Sequence, residues 1–218
     1  MNQSISPASL TLLPAKNRKV LQRLSSVLGR NARLSGGTAL MFYLKHRRSY
    51  DFDFFFSKSL AVSHLERKLI KSSGHDVRLL YASSDQINIE WKNILISLIH
   101  FPFIPLGKTL QIGMINITSL RDLASEKVYS IGRREEWRDY VDLYSILING
   151  ALSIEQIITD CNVRFGEGFS ERLFLNQLSA VSNVRIQPID WLWNEPQPKM
   201  IHKFFRKLVR DIVKRKIK

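Results

Sequence analysis

The chain has 218 residues, 44% of them hydrophobic and 24% charged, with a formal net charge of +14. That is enough chain to bury a core, and its single cysteine, Cys161, excludes a disulfide framework and any cysteine-rich zinc site. The most apolar run, residues 94–106, is interrupted by His100, Pro102 and Pro105 and is too short to span a bilayer.

Residues 1–13 lack the basic and apolar blocks of a signal peptide, and with no oxidising-compartment signature the expected setting is the cytoplasm. The charge is uneven. Residues 199–218 carry nine Lys/Arg against one acid, Asp211, and so supply +8 of the total. A field of this sign favours polyanions such as nucleic acid or nucleotide phosphates.

Along the chain, residues 15–28 read as a helix, with Val20, Leu21, Leu24, Val27 and Leu28 at helical spacing. A short extended piece, 33–35, ends at Gly36 and Gly37, after which Thr38 is expected to cap a helix running to about Lys45. The aromatic run 52–56 reads as a buried strand, 63–72 as a helix and 77–81 as a strand. Residues 87–91 alternate, Lys92 and Asn93 turn and 94–99 return, a hairpin in which a two-residue turn puts Trp91 opposite Ile94 and Asn88 opposite Ser97. In that register Asn88, Glu90 and Ser97 share the polar face.

After Pro105 the pattern reads as helical. Ser119 and Asp122 form a capping-box-like start, and Gly132 is a stop. Further helices are expected from 135 to 148, after Ser153, from 170 to 181, and from 200 to 217, the last with apolar pairs every four residues and a basic back. The expected architecture is α+β. A mixed sheet flanked by helices occupies residues 1–118, a helical region 119–198, and a basic amphipathic helix 199–218.

The chemistry concentrates between residues 36 and 53. A glycine pair before a helix lets backbone N–H groups approach a phosphate at the helix's positive end. Asp51 and Asp53, two apart on a strand, point to one side. Two such carboxylates need a cation, a proton or basic neighbours, and hard oxygen ligands suit magnesium. Between them lie Lys45, His46, Arg47, Arg48 and Ser49, a cationic stretch suited to a triphosphate. The bland alternatives are a tight turn for the glycines and an Asp–Arg ion pair for the carboxylates.

Residues 34–40 (Leu-Ser-Gly-Gly-Thr-Ala-Leu) followed by 46–55 (His-Arg-Arg-Ser-Tyr-Asp-Phe-Asp-Phe-Phe) resemble the AbiEii/AbiGii toxin family of nucleotidyltransferases, within the DNA polymerase β-like superfamily. The resemblance continues through 101–103, 119–127 and 138–144. It implies a polymerase β-like core with Gly36, Gly37 and Thr38 at the nucleotide, aided by Arg47, Arg48 and Ser49. Asp51 and Asp53 would be metal ligands and catalytic carboxylates. Lys127 would be a phosphate contact and Asp139 an acidic site position. The superfamily's third carboxylate aligns with Ser97, and Glu90, on the same hairpin face, is the candidate replacement.

The implied activity is Mg²⁺-dependent transfer of a nucleotide from an NTP to RNA such as a tRNA 3′ end, by a toxin with a cognate antitoxin protein. Two alternatives stay open. One is a catalytically degenerate nucleic-acid-binding relative. The other is a transferase modifying a protein or a small molecule. Without the resemblance, Glu90 reads as a surface partner for a lysine, Lys127 as a solvated helix lysine and Asp139 as a partner of Arg133, Arg134 or Arg138.

Overall fold

In the computed structural model the strand Phe52–Phe56 buries every second residue: Phe52, Phe54 and Phe56 point into the core while Asp53 and Phe55 do not. The structure describes residues 5–73 and 76–217, so the first four residues of the expected core and Lys218 of the tail lie outside the described residues. The chain divides into two units, Met1–Leu123 and Ala124–Lys218.

In the first unit, a short 3₁₀ turn (Pro7–Leu12) leads into α1 (Ala15–Leu28), then β1 (Ala32–Ser35), α2 (Gly36–Leu44), β2 (Phe52–Phe56) and α3 (Val62–Ser73). Further strands follow: β3 (Val77–Ala82), β4 (Gln86–Trp91), β5 (Ile94–His100) and the pair β6 (Leu110–Ile112) and β7 (Ile115–Ile117). Among the described residues these form one mixed sheet in the order β3-β4-β5-β2-β1-β7-β6. β2 runs antiparallel to β1 and parallel to β5, and β1 runs parallel to β7.

The hairpin forms in the expected register, Trp91 opposite Ile94 and Asn88 opposite Ser97. Lys92 and Asn93 both have positive φ, 54° and 60°, the turn geometry that matches the twist of two adjoining strands. One face of the sheet is apolar across five strands, from Ile89 and Ile96 through Phe52, Phe54 and Leu34 to Ile117, all at most 2% exposed. α1 packs against β7 and α3, and α2 against β1 and β2. The opposite face carries Asp53, Ser97 and Asn88 in one cross-strand row.

Two sequence expectations fail here. After Pro105 the chain is not helical but makes the β6–β7 hairpin, turning at Gly113 (φ 59°). And α2 begins at Gly36 with Ser35 as its N-cap, so Thr38 lies inside the helix and caps nothing.

α4 (Leu120–Ile131) runs across the division between the units. At its start Ser119 Oγ accepts the Asp122 N–H (3.1 Å), as expected of a capping box. The Asp122 carboxylate, 1% exposed, accepts the N–H groups of Leu106 (2.8 Å) and Gly107 (3.0 Å) and the Ser119 hydroxyl (2.6 Å). It thereby staples the 101–109 loop to α4.

The second unit is helical: α5 (Trp137–Ile148), α6 (Ile154–Phe165), α7 (Glu171–Ser179) and α8 (Pro198–Ile217). Ser153 and Ser170 cap α6 and α7 by accepting N–H bonds from Gln156 and Leu173. α8 packs on α5 and α7. Its apolar stripe inserts Phe205 against Tyr140 and Phe204 against Tyr144, and Ile201, Phe205 and Ile212 are buried. Among the described residues no helix is long and apolar enough to cross a membrane.

Candidate functional site

The glycine corner joins β1 to α2. Gly36 has φ 63°, in the left-handed region where a side chain is strained, and a Cβ there would collide with the Asp53 carboxylate. A Cβ on Gly37 would meet the Arg47 guanidinium at 2.8 Å and the Ser49 hydroxyl at 2.9 Å. The sequence alone suggests a bare corner that admits backbone to a phosphate. Instead, the room left by the two glycines is taken by three of the protein's own polar side chains. They converge on the first turn of α2, where the helix dipole stabilises an anion such as the Asp53 carboxylate.

Asp53 stands opposite Ser35 of β1 and Ser97 of β5. It is half-buried, and Asp51, just before β2, is exposed. The backbone at Asp51 is fixed from two sides. The Thr38 hydroxyl donates to the Asp51 carbonyl (2.5 Å), and Asn17 of α1 donates to the Tyr50 carbonyl (3.2 Å). Thr38 is 1% exposed, so it positions the carboxylate segment and does not face a ligand. Arg47 is also buried (5% exposed) and donates to the Arg48 carbonyl (3.2 Å), while Arg48 reaches the Leu12 carbonyl (3.4 Å). The loop between α2 and β2 is thus folded over the corner it was expected to serve.

Gly36→Ala should cost about 1–2 kcal/mol for the left-handed backbone alone and push the Asp53 carboxylate off its seat. Thermal unfolding measures the first effect. Displacement of the Asp53 amide and side-chain NMR signals far beyond that caused by Gly29→Ala, at another positive-φ glycine with open space around it, measures the second.

Glu90 lies apart from the pair. In register it is opposite Leu95, two residues along the hairpin from the Asn88–Ser97 pair, and two strands away from β2. That is about 10 Å at the usual strand spacing. Its carboxylate forms an ion pair with Arg78 of the edge strand β3. The structure therefore does not bring Glu90 to Asp51 and Asp53. Their neighbour on β5 is Ser97, with Asn88 beyond it.

In the second unit Lys127 and Asp139 meet each other. Lys127 Nζ donates to Asp139 (2.8 Å) and pairs with Asp142 (2.7 Å). Arg134 makes a two-pronged contact with Asp139, Nε at 2.8 Å and a terminal nitrogen at 3.1 Å. Lys127 is 7% exposed and the two aspartates at most 1%. The reading of Lys127 as a solvated lysine is thereby corrected: α4 turns it inward because two buried carboxylates on α5 require it. Beside it, Arg164 of α6 donates to Ser125 (2.6 Å) and pairs with Glu126 (3.3 Å).

Burial pushes the Asp139 carboxyl upward, but Lys127 and Arg134 outweigh it and hold it below the ordinary aspartate value. A depressed folded pKa contributes stability that is present in full above the unfolded value of about 4 and is lost as pH falls through the folded one. The unfolding temperature of the second unit should hold down to about pH 5 and fall below about pH 4. Asp139→Asn should flatten that acid limb, which a pH series of melts would show.

No protein-family model matches the chain. Among solved structures it is similar to MenT4, a nucleotidyltransferase toxin from Mycobacterium tuberculosis H37Rv, with TM-score 0.49 and 13% identity over 95% of this chain and 90% of that one. It is also similar to the Megavirus polyadenylate synthase, with TM-score 0.47 and 18% identity over 66% of this chain, and it spans about a third (34%) of that protein's length. Similarities of this size decide nothing about the site. A sequence relative from Aquifex aeolicus (strain VF5), the uncharacterized protein aq_aa25, is 30% identical over 142 residues, covering 62% of this chain and 67% of the relative. The chain belongs to the same family as that Aquifex protein.

Proposed function

We propose that the chain is a Mg²⁺-dependent nucleotidyltransferase that moves a nucleotide from an NTP onto RNA, such as a tRNA 3′ end. The observation that carries this reading is the convergence of Asp53, Ser49 and Arg47 on the glycine corner at the start of α2. One carboxylate, one hydroxyl and one guanidinium there supply a metal ligand, a phosphate donor and a phosphate counter-charge within one helical turn.

The donor set is compatible with magnesium. Asp51 and Asp53 offer hard oxygens only, and among the described residues no group of three or more His, Cys, Asp or Glu could hold a metal ion. A metal needing a full protein cage does not suit this set, whereas magnesium takes its remaining ligands from water and phosphate. When bound, it would neutralise phosphate charge and lower the pKa of the attacking hydroxyl.

The chain's own residues do the rest. Thr38 and Asn17 hold the backbone that carries Asp51. The half-buried Arg48 and Ser49 would hold the β- and γ-phosphates, with the buried Arg47 as a fixed counter-charge behind them, while the acceptor hydroxyl attacks the α-phosphorus, the bond to the β-phosphate oxygen breaks, and pyrophosphate leaves with the hydroxyl proton passing to water. Positioning and fixed charge supply most of the acceleration in such a site.

The RNA acceptor draws support from α8. Its basic face (Lys199, Lys203, Arg206, Lys207 and Arg210) lines a groove of about 360 Å³ with His202. Such a face suits a phosphate backbone, with binding that weakens as salt rises. The toxin role and an antitoxin partner belong to the same proposal and rest on the sequence resemblance; a cytoplasmic setting belongs to it too and rests on the single cysteine. A second reading, a nucleic-acid-binding relative without transfer activity, has Ser97 in its favour, because no third carboxylate stands beside Asp53 on β5.

Incubation with each labelled NTP, Mg²⁺ and either tRNA or total protein separates the readings. Label on tRNA is the expected result. Label on protein would move the acceptor to a side chain, and RNA binding without any labelling would favour the second reading.

A further inference from the structure

The polar face of the sheet continues past Asp53. Along β2 the next position on that side is Phe55, and Ser57 follows just past the strand's end. Four residue steps lead from Asp53 to Ser57, about 13 Å at the rise of a strand. At that far end lies a second cavity, of about 290 Å³, lined by Arg30, Arg33, Ser57, Lys58, Thr109 and Asn116 among others. Three of these are cations, and its described lining holds no carboxylate.

The pocket is held in shape by its own hydrogen bonds. Arg33, opposite Phe55 in the β1–β2 register, donates to the Ser57 hydroxyl (2.8 Å). Asn116 of β7 donates to the Arg30 carbonyl (2.9 Å), which fixes the turn before β1. Arg30 and Lys58 are exposed and reach the opening.

Between the glycine corner and this pocket stands an aromatic cluster. Phe55 stacks on Phe101 (centroids 4.6 Å apart, 28° between planes), and Phe101 meets Phe103 edge-on at 4.9 Å. All three rings are half-buried, leaving ring surface at the boundary with solvent. Aromatic faces beside a cationic groove form the combination that grips single strands, with bases stacking on rings while cations follow the phosphates. A duplex, whose bases are already stacked, has no use for the rings.

We propose that this stretch, the Phe55–Phe101–Phe103 cluster and the Arg30–Arg33–Lys58 pocket, binds a single-stranded polynucleotide, one phosphate seated in the pocket. That the strand is the acceptor rests on the nucleotidyl-transfer reading; the binding itself does not.

The test therefore reads binding, in the absence of NTP and metal. Isotope-labelled full-length chain is titrated by NMR with a short single-stranded RNA, with the same sequence as a duplex, and with inorganic phosphate. The expected result is saturable shifts at the Asn31, Ser57, Lys58 and Asn116 amides and at the Phe101 and Phe103 rings with the single strand, weaker with the duplex. In the Arg30→Glu, Lys58→Glu double variant, whose sites are exposed and whose melting temperature checks the fold, affinity read at these positions should fall about tenfold or more. The salt slope should flatten by about 0.7, the change expected when one phosphate of a single strand is no longer neutralised. Shifts with inorganic phosphate and none with RNA, equal response to the duplex, or no response to any ligand would each overturn the proposal. Failure of NTP labelling would leave it standing.

Discussion

Asp53→Asn is expected to lower the proposed nucleotide transfer by about 10²–10³-fold or more, the size of effect seen when one preorganised charge stabiliser is deleted. The substitution keeps the shape of the side chain and removes its charge. Asp53 is held beside Gly36 at the first turn of α2, between Ser35 and Ser97. Its carboxylate gains from the helix dipole by no more than about 2 kcal/mol at a partly buried site, so the fold should survive. A melting temperature close to that of the parent, with labelling of tRNA lost, is the expected pair of results. Unchanged labelling would remove Asp53 from the site. Asp51→Asn should act in the same direction, since its backbone is fixed by Thr38. Thr38→Val, which deletes that donor without touching a carboxylate, should give a smaller loss.

The second large effect is on stability. Lys127→Met is expected to destabilise the helical unit by about 3–5 kcal/mol, the range for removing one partner of a buried ion pair. Asp142, fully buried, is deprived of the Lys127 ammonium at 2.7 Å, and Asp139 keeps Arg134. Denaturant unfolding measures the destabilisation. Adding Asp142→Leu to the same chain should recover part of it, because an apolar side chain removes the charge that Lys127 neutralised. A change below about 1 kcal/mol would return Lys127 to the class of exposed helix lysines. The same variant separates structure from catalysis. If Lys127 also touches phosphate, the KM for NTP rises at temperatures where the variant is fully folded.

The parts of this fold that could be read from the sequence are those with a strong local period. Residues 86–91 alternate strictly, and a two-residue turn leaves one register for the apolar return 94–99, which is the one observed. The run 52–56 could hardly be anything but a strand, and α1 shows its stripe along its whole length. The β6–β7 hairpin escaped because each strand has three residues, too few to display a period. Its signal was the near-mirror of Leu110-Gln111-Ile112 and Ile115-Asn116-Ile117 about Gly113.

At the site, adjacency in sequence was a good guide to which residues gather and a poor one to what each does. Gly36, Gly37, Arg47, Ser49 and Asp53 do converge. Thr38 acts as a brace and Glu90 as the partner of Arg78, roles set by residues on other elements. The inward turn of Lys127 depends on α5, twelve residues on in the chain at Asp139.

Central to the proposed activity is a glycine corner that holds a divalent ion together with a nucleotide. Titrating Mn²⁺, a paramagnetic stand-in for Mg²⁺, into the isotope-labelled chain with a non-hydrolysable NTP tests this directly. Selective broadening of the Gly36, Gly37, Ser49 and Asp53 amides, abolished in the Asp51→Asn, Asp53→Asn double variant, is the expected result. Broadening elsewhere, or broadening at the corner that survives the loss of both carboxylates, would contradict it.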